Sequence, residues 1–533
     1  MTYPAERGNR QVLAIGLEAT EPSLIERWTR EGHLPTFRAL MRRGVWRRLL
    51  SDTEISSGAT WASLNTGTNP GKHGMGFYHR QLRCGTYQLR KKYANEIGRE
   101  SFWVQLSDAG KRVAVLDVPD TFVLEDLNGV QLVGWGGEGL NAPHSSWPQP
   151  LFRQLTARFG RHPLDRWYQA RPKTSEGWLS LRDKLLAGTR TRTAIAHDVH
   201  RQEPWDLFLV GFAEPHWVGH FFWHLMDPRH PDYDERLARS CGDAILRLYQ
   251  ELDRAVAMLI QGAPQATVLV FSNTGMGPNF SGLHLVPDIL QRLGMAPQPS
   301  HGTSRLLPAQ RWGPYAIKRI AGTVTPKAIE RMKKVLPERL WDSWTRWVLG
   351  LGNIWPHSLA FTVPSDYSGA LRINLKGREP NGLVEPGEPY QALCDELEAA
   401  FLGLVNPATG KPAVREVVKV RERYHGDHLD ELPDLLVRWT NEAPITSLAS
   451  PRIGTVSGVL PDERTGAHLP YGFLLAAGDG IRADRELEAA NIMDIAPTIL
   501  HLLGKRPSPD TDGHVLEDVF DEPVGEPATR IAT

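Results

Sequence analysis

Residues 12–17 read VLAIGL, and polar residues follow at once with Glu18. A short, wholly apolar run with turn chemistry at its end is the signature of a strand buried on both faces. Three more runs of the same kind occur at 113–118 (VAVLDV), 205–212 (WDLFLVGF) and 267–272 (TVLVFS). Between them lie stretches of helical periodicity. Leu24, Trp28, Leu34, Phe37 and Leu40 predict helix over 21–44, and 239–260 repeats the pattern. Buried strands alternating with helices predict an α/β fold with a mostly parallel central sheet and helices on both faces. In such sheets ligands sit at the carboxyl ends of the strands. Glu18, the segment Glu214 to His220, and Asn273-Thr274 all fall at such ends.

At 533 residues the chain suits one large domain with a smaller added part. Apolar residues make up 41%, enough to build a core and exclude global disorder. Lys+Arg and Asp+Glu are both 61, so no whole-protein basic footprint for nucleic acid exists. Cys84, Cys241 and Cys394 are widely spaced and odd in number. They argue against a disulfide framework and a thiolate zinc site, and they suit a reducing compartment. The opening MTYPAERGNRQ lacks a signal-peptide core, and no stretch of about 20 apolar residues occurs. The expectation is a cytoplasmic protein.

The segment 301–356 carries ten Lys/Arg against three Asp/Glu, with Trp312, Trp341, Trp344, Trp347 and Trp355. Trp341, Trp344 and Val348 share one helical face. It reads as a basic, helical insertion. Contact with a membrane surface or an anionic polymer is one reading. A cap whose tryptophans pack on the main domain is the plainer one. The expected division is an α/β core over 1–300, this insertion over 301–360, the remainder of the core over 361–520, and a loose tail over 521–533.

Three segments carry residues able to do chemistry. In GFAEPHWVGHFFWHLMD (211–227), His216 and His220 stand four apart, which on a helix puts both imidazoles on one face within reach of one ion. The alternative is a satisfied histidine cluster among Trp217, Trp223 and His224. His468 in RTGAHLPYGFLL (464–475) is expected in a Gly-flanked turn before an apolar strand, where a lone histidine is commonly structural. Ser56, Ser57 and Thr60 lie near a helix start, where the backbone stabilises an anion but Ser and Thr also serve as plain caps. Lys72 and His73 follow in the same region and are candidate contacts to an anionic substrate; for Lys72, a solvated loop charge fits as well.

WASLNTGTNPGKHG (61–74) resembles the segment after the nucleophile in type I phosphodiesterases and nucleotide pyrophosphatases of the alkaline phosphatase superfamily. VLAIGLEAT resembles that family's first strand, FSNTGMGPN (271–279) its central metal motif, and GAHLPYG (466–472) its last histidine motif. IMDIAPTILHLLG (492–504) and DGHVL (512–516) resemble its C-terminal signature; LRINLKGREPNG (371–382) and LPDLLVRW (432–439) also fit the group. FYHRQLRCGTY (77–87) and EPHWVGHFFWHLMDP (214–228) look like a bacterial subgroup with altered metal ligands.

The resemblance implies two zinc sites. Carried over by position, the first is His216, His220 and His468, with His216 where an Asp is usual. The second is depleted: Glu18 replaces Asp, Asn273 replaces Asp, and Thr274 replaces His, leaving weak neutral donors. Ser57 takes the nucleophile's place. The implied function is a metal-dependent hydrolase or transferase of phosphate esters, most naturally phosphodiesters. It would act on a small anionic substrate with one zinc ion, or manganese, held tightly. The alternative is a catalytically impaired binding or accessory protein on the same fold.

Overall fold

The computed structural model describes residues 10–51, 57–76, 80–136, 144–165, 171–297, 354–366, 368–460, 463–483 and 485–521. The basic segment's residues 301–353, including Trp312, Trp341, Trp344 and Trp347, lie outside the described residues, as do Ser56 and the tail after residue 521. The chain forms two compact units. The first gathers residues 1–69, 93–278 and 464–533; the second gathers 70–92 and 279–463.

The first unit is built on a nine-stranded sheet. Its strands, in chain order, are β1 (Val12–Leu17), β2 (Gly44–Leu50), β3 (Val113–Leu116), β4 (Gly129–Val133), β5 (Ser145–Trp147), β6 (Leu207–Phe212), β7 (Thr267–Ser272), β10 (Tyr471–Ala477) and β11 (Arg485–Asn491). Two short strands outside it, β8 (Gly275–Pro278) and β9 (Gly466–Leu469), form a separate antiparallel pair. The spatial order is β11-β2-β10-β7-β1-β6-β3-β4-β5. The central five, β7-β1-β6-β3-β4, run parallel. Strand β10 is antiparallel to both its neighbours.

The residues of β1 show why it occupies the middle. Leu13, Ile15 and Leu17 enter one apolar cluster, and Val12 and Ala14 enter the other. The first cluster is covered by α1 (Pro22–Arg30), α2 (Pro35–Arg42), α5 (Ser175–His200), α6 (Glu214–Met226) and α7 (Ala244–Gly262). The second is covered by α3 (Ser57–Thr66), α4 (Phe102–Asp108) and α8 (Ile495–Leu502). Both faces of the sheet are therefore buried, which is what an uninterrupted apolar strand requires.

Three sequence expectations change in detail. The helix expected over 21–44 is two helices, because Gly32 turns the chain at φ +85° and Pro35 starts a new helix; residue 44 already opens β2. The helix expected over 239–260 breaks at Gly242-Asp243, with α7 running from Ala244. Residues 361–463, expected in the main core, group with the second unit. That unit has its own antiparallel sheets, two of them four-stranded, and its own apolar core, with Leu371, Leu397, Leu435 and Val437 at its centre. A strand's apolar pattern does not disclose which sheet it joins.

Ionic contacts hold the second unit together. Asp434 takes both Nη atoms of Arg378 at 2.8 and 2.7 Å, and the Tyr390 hydroxyl at 2.8 Å. Arg372 donates to Glu379 at 2.7 Å. These buried pairs account for the LRINLKGREPNG and LPDLLVRW motifs as parts of a core.

The C-terminal signature has a comparable structural task in the first unit. The Asp512 carboxylate accepts the Asn69 backbone and side-chain N–H groups at 2.8 and 2.7 Å. The Gly67 carbonyl accepts the N–H groups of Asp512 and Gly513. This clasps the segment just beyond α3.

Candidate metal centre

Parallel pairing puts the ends of β1, β6 and β7 side by side: Leu17 lies opposite Phe212, and Gly16 opposite Phe271. Glu18, Glu214 and Asn273 therefore leave the sheet at one edge. Helix α6 starts with Glu214, immediately after β6, and turns its first apolar and imidazole residues inward.

His216 and His220 sit one helical turn apart with ring centroids 4.3 Å from each other. His468 is not in a turn, as the glycines around it suggest, but on β9, paired with Met276 of β8. The pairing brings its ring to 4.8 Å from His216 and 5.1 Å from His220. One nitrogen from each imidazole falls within 4.8 Å of the others. A tetrahedral zinc ion with bonds of about 2.0–2.1 Å needs donors about 3.4 Å apart, so the rings would draw together slightly on an ion.

One of the three rings is held through one nitrogen by a hydrogen bond, and a second faces a carboxylate. His220 Nδ1 donates to the Gly466 carbonyl at 2.8 Å, which leaves Nε2 with its lone pair. His216 Nδ1 lies 3.0 Å from a carboxylate oxygen of the fully buried Glu18. A carboxylate or carbonyl behind a ligating imidazole is the usual supporting arrangement of metal centres. Burial, and then the neighbouring His216, push His220 and His468 well below the ordinary imidazole range. Neutral rings with free lone pairs are the form a cation requires.

Strand β9 reaches α6 through a close approach of backbones. The Thr465 N–H donates to the His220 carbonyl at 2.7 Å. A Cβ on Gly466 would stand 2.3 Å from the Gly219 carbonyl oxygen. Gly466→Ala is therefore expected to push β9 away from the helix. The expected cost is about 1–3 kcal/mol, seen in denaturant unfolding, with weaker cation binding.

The other candidate residues are placed as follows. Asn273 is fully buried; its Oδ1 accepts the Ala19 N–H at 3.1 Å and its Nδ2 donates to Thr60 Oγ1 at 2.8 Å. The Thr274 hydroxyl is buried and has no hydrogen-bond partner among the described residues. Ser57 opens α3 and Thr60 lies in its first turn. Lys72 and His73 belong to the second unit. There His73 is buried and its Nδ1 accepts the Met75 N–H at 3.0 Å, a contact that shapes its own loop. Next to that loop, buried Lys92 pairs with Glu431 at 2.9 Å, and Glu431 also holds His428.

His224, one turn beyond His220, is not part of the three-ring group. Its Nδ1 is 3.1 Å from Thr465 Oγ1, and burial with nearby Arg171 pushes it down to about 3. Residues absent from the sequence reading are Asp117, His162 and Arg192, which form a buried cluster with Glu214. Burial alone would raise the Glu214 carboxyl, but Arg192 and His162 hold it below the usual carboxylate range. The only signal available in sequence was the position of Asp117 at the end of an apolar strand.

The profile of the type I phosphodiesterase / nucleotide pyrophosphatase family matches residues 12–447. The chain belongs to that family. Its members are hydrolases of the phosphodiesterase and pyrophosphatase type. No curated protein sequence matches this phosphodiesterase-family chain. Among solved structures, it is similar to an inactive murine ectonucleotide pyrophosphatase / phosphodiesterase 5 in complex with AMP. Identity there is 14%, coverage is 96% of this chain and 100% of that one, and the TM-score is 0.49. It is also similar to phosphonoacetate hydrolase from Sinorhizobium meliloti 1021 in complex with phosphonoacetate, at 12% identity, 93% and 95% coverage and a TM-score of 0.48.

Proposed function

We propose that this family member is a metal-dependent hydrolase of phosphate esters, with phosphodiesters as its leading substrate class, built on a single three-histidine centre. The observation that carries this reading is the convergence of His216, His220 and His468, with His220 already held through one nitrogen and His216 beside the Glu18 carboxyl. Three imidazoles with an open fourth position fit zinc, and manganese is the second choice. Such an ion, when bound, supplies Lewis acidity toward a phosphoryl oxygen.

The remaining residues act around it. Glu18 is proposed to orient His216, whose Nδ1 it faces at 3.0 Å. Asn273 spends its amide on Ala19 and Thr60, which ties the end of β1 to the first turn of α3. Both facts support one ion rather than two. Ser57, at the start of α3, is the hydroxyl proposed to meet the phosphate of a small anionic substrate, where the helix N-terminus favours negative charge.

Among the described residues no helix is long and apolar enough to cross a membrane. Cys84, Cys241 and Cys394 are free thiols, which supports the proposal of a reducing, cytoplasmic setting.

The second reading, an impaired binding protein on the same fold, is favoured by the engaged Asn273 amide. Metal content after dialysis and turnover of bis-p-nitrophenyl phosphate separate the two. Retained zinc with turnover supports the enzyme; a metal-free chain that takes up neither zinc nor manganese removes it. Glu18→Gln refines the test. As an orienting residue, its loss weakens the cation roughly 10–100-fold without changing a one-to-one stoichiometry. A fall from two ions to one would instead make Glu18 a ligand of a second ion.

A further inference from the structure

The first turn of α6 is held by a buried cluster that the three imidazoles do not include. Glu214, the helix's first residue, stands two positions before His216. Its carboxylate accepts Arg192 Nε at 3.1 and 3.2 Å and lies 3.1 Å from His162 Nε2. His162 Nδ1 accepts the Leu164 N–H at 3.1 Å, so Nε2 carries the proton and donates to Glu214. Arg192 reaches on to Asp117 through Nη1. Asp117 in turn accepts the N–H groups of Trp135 and Gly136, each at 2.8 Å.

All four side chains are buried. Four separate segments meet here: the end of β3, the His162 loop, α5 and the start of α6. The histidine sits in a slot shaped for it. A Cβ on Gly136 would stand 2.4 Å from its ring, and one on Gly188 would stand 2.2 Å from Nε2. The edge of Trp135 closes the slot, with ring centroids 5.1 Å apart.

We propose that Glu214 is a positioning residue, which Arg192 and His162 fix so that the first turn of α6 aims His216 and His220 at a divalent cation. This rests on the metal reading above, and the experiment distinguishes failure of one from failure of the other.

The test is a Co²⁺ titration of the full chain, reading dissociation constant and visible d–d spectrum, for the wild type, Glu214→Gln, His162→Gln and Asp434→Asn. Asp434→Asn alters the other unit's core and reports on general loss of stability. Glu214→Gln is expected to weaken Co²⁺ about 10-fold or more and to shift the d–d band. His162→Gln should move both in the same direction by less. Asp434→Asn should lower the melting temperature with the spectrum unchanged. If folded Glu214→Gln and His162→Gln bind Co²⁺ with the wild-type affinity and spectrum, the proposal is overturned. Should Glu214→Gln fail to fold, His162→Gln decides alone. A wild-type chain that binds no Co²⁺ overturns the metal reading, and this proposal with it.

Discussion

His220→Ala is expected to abolish tight metal binding and phosphodiester turnover together, while the protein stays folded. His220 offers one nitrogen to the three-ring group and gives the other to the Gly466 carbonyl. Removing it takes away one of three donors and frees one anchor of β9, leaving two imidazoles on different elements. Losing a supporting residue behind a metal ligand costs roughly 10–100-fold, and losing the ligand itself must cost more. His224→Ala is the matched control. It deletes an imidazole one turn away on the same helix, whose contact is the Thr465 hydroxyl. It should lower the melting temperature and leave the metal in place. Metal analysis after dialysis and turnover of bis-p-nitrophenyl phosphate read both outcomes. Turnover surviving in His220→Ala would sink the three-histidine reading.

The second large effect lies away from the chemistry. Asp434→Ala leaves the buried Arg378 guanidinium without its bidentate partner and removes the acceptor of Tyr390. Breaking one side of a buried pair costs about 3–5 kcal/mol, a large part of the stability of an ordinary domain. Denaturant unfolding should show an earlier transition for the unit built on 70–92 and 279–463. The same residue predicts acid sensitivity. Burial acts to raise the Asp434 carboxyl, but Arg378 and then Arg372 hold it below its ordinary value. A carboxyl depressed in the folded state stabilises above its unfolded pKa of about 4, and that stability is lost as pH falls toward the folded value. Wild type should therefore lose stability below about pH 4 more steeply than Asp434→Asn.

The parallel centre of the sheet was legible because strands buried on both faces must be apolar throughout, as VLAIGL and TVLVFS are. Strand β2 was not, since GVWRRLL carries two arginines; Arg47 is buried only by pairing with Asp518 and the Glu488 carbonyl. His216 and His220 were legible as a pair because helical spacing is local. The convergence of His468 on them depends on the β8–β9 pairing, and no local pattern predicts it. Family resemblance supplied that link. The cluster of Asp117, His162, Arg192 and Glu214 was invisible for the same reason. Its members come from four segments, and only the positions of Asp117 and Glu214 after apolar strands set any of them apart in sequence.

Strand β10 lies between β2 and β7 in the interior of the sheet, yet it is encoded some two hundred residues after β7. During synthesis the facing edges of β2 and β7 emerge long before the segment that pairs with both. A nascent chain that has reached residue 460 carries an unpaired edge of β7, a β2 segment without either of its neighbours, and only two of the three imidazoles. Such long-range closure is slow and leaves the intermediate prone to self-association. Exposure of the unfinished sheet to chaperones, and assembly of the three imidazoles only once His468 has emerged, follow from where that one strand sits.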